Sequence, residues 1–270
     1  MTTDTLTPVT PAPASPRSPY RVTPTRVLRS EWHKLWTLRT TWITLITAVA
    51  LVLAVGITMG STYDGDDSEI DTVVFVLFGT QLSQICLAVL GILVTAGEYA
   101  NGMIRASLTA VPRRVPVLWS KAAVFTTVAF TLSFVTNVVT FLVAQLWLAG
   151  TDKELSLTDS GVLGALAGSA AALTLLSLIA LGMGALLRSV PGGIGAFVGA
   201  VLVLPEVLGT LPLAAVDTAV KYFPAQASGS LGSITPVENG VSAGTGLLAL
   251  TLWAAALLVA ASALLKRRDV

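Results

Sequence analysis

Six apolar stretches, each long enough to cross a bilayer, dominate this 270-residue chain. A hydrocarbon core about 30 Å thick needs about 20 apolar residues per helix. The stretches run over 41–60, 72–96, 117–149, 161–187, 193–213 and 245–265. Positive charge surrounds them unevenly. Of sixteen Lys and Arg residues, fourteen fall in the N-terminal arm, the second and fourth connections, and the C-terminal tail. The remaining connections hold only Lys153 and Lys221. This positive-inside asymmetry predicts a multi-pass protein with both termini cytoplasmic. Charged residues make up only 11% of the chain, against roughly 25% in a soluble domain. The expected fold class is therefore an all-α integral membrane protein with six transmembrane helices.

Composition also removes function classes. Cys86 is the only cysteine, so an intrachain disulfide or a Cys-based metal site is excluded. His33 is the only histidine, which argues against His-dependent hydrolysis, zinc proteolysis and histidine proton relays. A net charge of +1 implies no nucleic-acid partner. No Gly-x-x-x-x-Gly-Lys-Ser/Thr loop occurs, so no phosphate-cradling ATPase site is expected in this chain. Residues 1–24 are Thr/Pro/Ser-rich and are expected to form a disordered cytoplasmic tail with no cleavable signal peptide. One membrane domain is expected over 25–270.

The segment from Thr25 to Arg39 has a different pattern. Leu28, Trp32, Leu35 and Trp36 recur at helical spacing, with Arg26, Arg29, His33 and Lys34 mostly elsewhere. Tryptophans beside a basic face predict an amphipathic helix lying in the headgroup region, against membrane lipid. The first outside loop carries Asp64, Asp66, Asp67, Glu69 and Asp71. Its spacing fits no EF-hand and reads as a solvated acidic loop. The third stretch is long enough to tilt or to project beyond the bilayer.

The connection after the second stretch mixes one carboxylate, Glu98, with Arg105, Arg113, Arg114 and Lys121. Ile104 and Leu108 can share a helix face, Glu98 suits the positive end of a helix dipole, and Pro112 should end the segment. A short cytoplasmic helix between two membrane helices is expected, outside the apolar spans and suited to docking on a partner.

Glu98-Tyr99-x-x-Gly102, followed by Ile104-Arg105 and Pro112-Arg113-Arg114, resembles the signature loop of ABC-2-type transporter permeases. Ser30-Glu31-Trp32-x-Lys34-Leu35-x-Thr37-Leu38-Arg39-Thr40 resembles the entry segment of bacterial members. Met103 and Ser107 stand where Thr is common in relatives. The resemblance extends along the chain as six helices in the same order. It implies the permease subunit of an ATP-driven exporter in a bacterial cell membrane. The loop between the second and third helices would then be a coupling helix, seated on a separate ABC ATPase subunit that holds ATP and magnesium. A second permease copy or homologue would complete the membrane unit. Glu98, Tyr99, Gly102, Arg105, Arg113 and Arg114 would form the coupling site. The alternative for the loop cations is anchoring to anionic lipid.

Four polar residues near membrane depth, Gln81, Gln84, Asn137 and Glu206, are candidates for the translocation path. Gln81 and Gln84 share a helix face and serve equally as interhelical hydrogen-bonding groups. Glu206 follows Pro205, which can open a kink; it either lines the path or sits at the outer headgroups. Gly164/Gly168 and Gly195/Gly199 have the small-xxx-small spacing of close helix packing. In 213–244, the family comparison suggests short re-entrant or extracellular helices. A secondary transporter would be expected to carry an inverted repeat and a midplane ion site; neither is evident. A noncatalytic membrane-assembly or sensory module is the other alternative.

Overall fold

The computed structural model describes residues 23–65, 69–100, 102, 114–237 and 240–267. Helices make up the described architecture, and six of them are long and apolar enough to cross a membrane. The chain is a membrane-embedded, multi-pass all-α protein. The expected tail, apart from its last two residues, and the expected coupling helix lie outside the described residues.

Helix α1 (Pro24–Thr37) and helix α2 (Arg39–Ser61) meet at an elbow, where Leu38 is extended. The elbow leaves carbonyls at the end of α1 without helical partners. Trp42 Nε1 donates to one of them, the carbonyl of Trp36, at 3.1 Å. Trp32, Trp36 and Trp42 meet in series around this corner, the first pair edge-to-face and the second tilted. The inward face of α1 differs from the expected one. Val27, Glu31 and Leu35, spaced four apart, are buried, while Leu28 and Trp32 face outward. A charged residue occupies the inner stripe because lysines wait for it there.

The second apolar stretch is broken. Helix α3 (Thr72–Val76) ends in a turn, and helix α4 (Thr80–Ala100) begins afresh. At the break a Cβ on Gly79 would lie 2.8 Å from Val52 Cα and 2.9 Å from the Leu51 carbonyl. The turn is thus pressed onto the α2 backbone, a contact that periodicity cannot reveal. Restarting eight residues late carries α4 through Ala100, so Glu98 and Tyr99 belong to its last turn and do not open a loop helix.

Helix α5 (Arg114–Leu148) extends for 35 residues, and helix α6 (Val162–Leu187) is the hub. The most apolar window of α6 is 72% buried, against 28% for α2 and 22% for the fifth span. Gly91 and Gly184 bring α4 and α6 close together. A Cβ on Gly91 would meet the Ser177 carbonyl at 2.5 Å. Thr95 Oγ1 also donates across to the Leu181 carbonyl at 3.0 Å. Without a hydrophobic drive between helices in lipid, such close approach and interhelical hydrogen bonding supply the association energy.

The fifth span is composite. Helix α7 (Val190–Phe197) widens into a π-helical turn (Val198–Val203) and resumes as helix α8 (Leu204–Gly209). Proline clashes with the carbonyl four residues back. Here Leu204, just before Pro205, donates to Gly199, five residues back. The extra residue in the turn accommodates the ring. A Cβ on Gly195 or Gly199 meets nothing within 4 Å, and likewise on Gly164. Of the two expected glycine pairs, only Gly168 makes a tight contact, against the Leu231 carbonyl. For Gly195 and Gly199 the reason is that the fifth span lies at the periphery of the bundle. Helices α9 (Ala214–Val220) and α10 (Pro224–Gly229) follow, and helix α11 (Ala243–Arg267) closes the bundle. Short helices therefore occupy part of 213–244, as expected.

Candidate functional site

Four side chains from three helices converge where α1, α4 and α5 meet. Lys121 Nζ lies 2.6 Å from Glu31 Oε2 and 2.9 Å from Glu98 Oε1. Lys34 Nζ lies 2.7 Å from Glu31 Oε1 and 3.3 Å from Glu98 Oε1. Two ammoniums thus hold three of four carboxylate oxygens, and formal charge within the cluster is zero. Glu31, Glu98 and Lys121 are each at most 7% exposed. Charges so far from water persist only when paired and hydrogen-bonded.

Local structure explains the convergence. Glu31 is placed inward by its spacing from Val27 and Leu35, and Lys34 follows it one turn later. Glu98 ends α4, and Lys121 begins the inner face of α5 beside Leu118, Ala122 and Phe125. Burial would push the Glu31 carboxyl up, but the Lys121 and Lys34 ammoniums outweigh it and hold it below its ordinary 4.5. Burial would likewise lower Lys34; bonding to Glu31 and the charge of Glu98 outweigh it and hold Lys34 above its ordinary 10.5.

The rest of the Glu98-Tyr99-x-x-Gly102 motif acquires physical roles beside the cluster. The Arg188 guanidinium lies 4.9 Å from the Tyr99 ring centroid. Arg188 caps α6 in the left-handed conformation, with φ 54°. Gly102 has φ 69°, and its N–H donates to the Tyr99 carbonyl. Such a conformation suits glycine, so Gly102 marks the stop of α4. Glu98 ties α4 to α1 and α5, while Tyr99 ties it to the α6–α7 turn. Arg105 and Arg113 lie outside the described residues, and Arg114 is the first residue of α5. Lys121 is not at a lipid surface but at the centre of the cluster.

The four candidate path residues do not converge on one site; only Gln81 and Gln84 meet. Asn137 is fully buried, and its Nδ2 donates to the Leu166 carbonyl of α6 at 3.2 Å. Gln84 donates to Gln81 at 3.2 Å beside a cleft of about 90 Å³ that Ser169 and Ser228 also line. Glu206 is exposed and accepts a 2.7 Å bond from Gln226.

At the opposite end of the bundle, Asp71 does what the acidic-loop reading missed. Its Oδ1 caps α3 through the N–H groups of Val73 and Val74, at 2.9 and 3.3 Å. Its Oδ2 accepts from the N–H groups of Ile234 and Thr235, at 2.8 and 2.9 Å, and from Ser233 Oγ. Burial would raise its pKa, and these donors outweigh it and hold it below the ordinary 3.8. An aspartate immediately before Thr-Val-Val was the available N-cap signal. No group of three or more potential metal ligands occurs among the described residues.

No protein-family profile matches the chain, and no curated protein matches it. The fold and the buried cluster define an all-α multi-pass membrane protein whose basic-end helices are joined by ion pairs.

Proposed function

We propose that the chain is the permease subunit of an ATP-driven exporter, with a membrane path formed between two such subunits and ATP hydrolysed on separate ABC ATPase subunits. The observation carrying this reading is the contact between its two resembling segments. Glu31 and Lys34 come from the entry segment, and Glu98 from the signature motif; all three meet Lys121. A push on the loop that follows α4 would travel through this joint to α1 and α5. The peripheral fifth span and its open Gly195 and Gly199 surface suit a second copy. On this reading the joint and both termini face the cytoplasm of a bacterial cell, and the Asp71 end faces outward. Cysteines introduced at Ser189 and Gly240 on a Cys86→Ala background should then label from inside and outside, respectively.

The test is copurification of an ATP-hydrolysing subunit with the tagged chain, combined with ATP-dependent export in vesicles. Arg105→Glu should abolish copurification and export while leaving thermal stability unchanged. Charge reversal at a docked site costs several kcal/mol, whereas a rim charge mainly alters rate and salt dependence. Retained copurification and export in Arg105→Glu would remove the coupling assignment. Glu98→Ala is a poorer probe, because Glu98 is part of the fold.

A further inference from the structure

The ion-pair cluster forms one wall of a cavity of about 240 Å³ between α1, α2, α4 and α5. That is well above the ~10–15 Å³ a single water requires. Leu90, Val94, Val124 and Phe125 supply an apolar wall. Thr37, Leu38 and Thr40, all exposed, line the cavity at the α1–α2 elbow. Two of the lining residues each carry a side-chain oxygen that is buried without a hydrogen-bond partner: Glu98 Oε2 and Thr41 Oγ1. Glu98 is 7% exposed and Thr41 0%. An orphaned buried polar atom costs roughly 1–3 kcal/mol, more for a charged group, so an occupant that satisfies both atoms is favoured.

The unmet chemistry specifies that occupant. Both ammoniums of the cluster are already engaged, and the leftover carboxylate oxygen can only accept. The ligand must therefore donate, and the remaining walls require an apolar portion. The elbow is ringed by Trp32, Trp36 and Trp42, residues that favour the headgroup level of a bilayer. Exposed Arg39 lies between the mouth residues Leu38 and Thr40, where it can meet a phosphate. The geometry points to a binding site for a primary-ammonium amphiphile, with the ammonium donating to Glu98 Oε2 and Thr41 Oγ1. A phosphatidylethanolamine headgroup entering at the elbow is the membrane source of this chemistry; a diffusible alkylamine is the other. A choline headgroup lacks the N–H donors. The inference is independent of the exporter reading, and its readout is lipid binding with no ATPase present.

The experiment uses the full chain purified in detergent and titrated with dioctanoyl phosphatidylethanolamine, dioctanoyl phosphatidylcholine or decylamine. Thermal unfolding and native mass spectrometry report binding. Phosphatidylethanolamine should raise Tm and appear as a bound adduct, and phosphatidylcholine should do neither. Thr41→Val should weaken phosphatidylethanolamine binding about tenfold, since hydrogen bonds to charged groups are worth that much. Val94→Trp, which fills the cavity from its apolar side, should abolish binding even if Thr41→Val unsettles the elbow. Binding of decylamine but not phosphatidylethanolamine would support the ammonium site and assign it to diffusible amines. Equal responses to the two phospholipids, no response to either phosphatidylethanolamine or decylamine, or wild-type binding in both variants would overturn the site.

Discussion

The two ends of the bundle bury carboxylates by opposite means. At the basic end, Glu31 and Glu98 are neutralised by long side chains, Lys34 and Lys121, from separate helices. At the acidic end, Asp71 is satisfied largely by backbone N–H groups fixed in α3 and in the 233–235 segment. Backbone donors cannot change partner without unfolding a turn, whereas an ammonium can exchange one carboxylate oxygen for another. The acidic end is a clamp and the basic end a joint. Neighbouring contacts agree with the division. Tyr63 donates to Asp152, and Lys153, 2% exposed, donates to the Ile70 carbonyl, locking two connections together beside Asp71. At the joint, by contrast, the 240 Å³ cavity leaves space next to the ion pairs.

The comparison is most severely tested by removing a hub from the joint. Lys121→Ala leaves two buried carboxylates with Lys34 as their cation, and breaking a buried pair costs about 3–5 kcal/mol. Thermal unfolding in detergent should show a large drop, and a loss below ~1 kcal/mol would deny the cluster its place in the fold. Asp71→Ala should cost about 2–3 kcal/mol, from one helix cap and a set of charge-assisted bonds. Asp71→Asn should recover part of this, because one carbonyl oxygen remains to serve either α3 or the 233–235 segment.

Acidity separates the ends less strongly but with a definite sign. Glu31 and Asp71 both have folded pKa values held below their ordinary 4.5 and 3.8. Each contributes stability that is present above its ordinary value and is lost as pH falls through the lowered one. Lys34, held above 10.5, contributes stability that is complete below that value and is lost as pH rises through the raised one. Unfolding measured across pH should thus show an acid limb with contributions from both ends and an alkaline limb with a contribution from Lys34 at the joint. Asp71→Asn should reduce the acid limb and leave the alkaline limb unchanged. The smallest effect is expected at Asn137→Leu. Its single interhelical bond leaves Oδ1 unpartnered, and such bonds in membranes average about 0.6 kcal/mol. A loss above ~2 kcal/mol would place a further structural polar group in the bundle centre.

Hydropathy and charge asymmetry made the six spans legible, because each must satisfy its own backbone in lipid. The break at Gly79 was not legible: 72–96 holds no proline and no charged residue, and only the α2 backbone pressed against Gly79 reveals the turn. That shift is what moved Glu98 from an expected loop into α4. Glu31 was hidden for a related reason. A carboxylate in a basic, Trp-rich segment reads as surface until Lys121, ninety residues away, is seen beside it. Asp71 stood at a recognisable cap position but was masked by its acidic neighbours. Glu98, Tyr99 and Gly102 were singled out as a motif from sequence, yet their separate tasks of pairing, stacking and helix termination required the fold. Pro205 marked the disturbance in the fifth span, and the response was a π-helical turn just ahead of it.

The central claim is that Glu98 and Lys121 act as one buried unit joining the end of α4 to α5. A double-mutant cycle of Glu98→Gln and Lys121→Met, read as unfolding free energy of the purified chain, tests it directly. The account predicts a coupling energy above about 1 kcal/mol, as found for residues sharing one ion-pair network. Additivity within about 0.5 kcal/mol, the behaviour of independent sites, would contradict it.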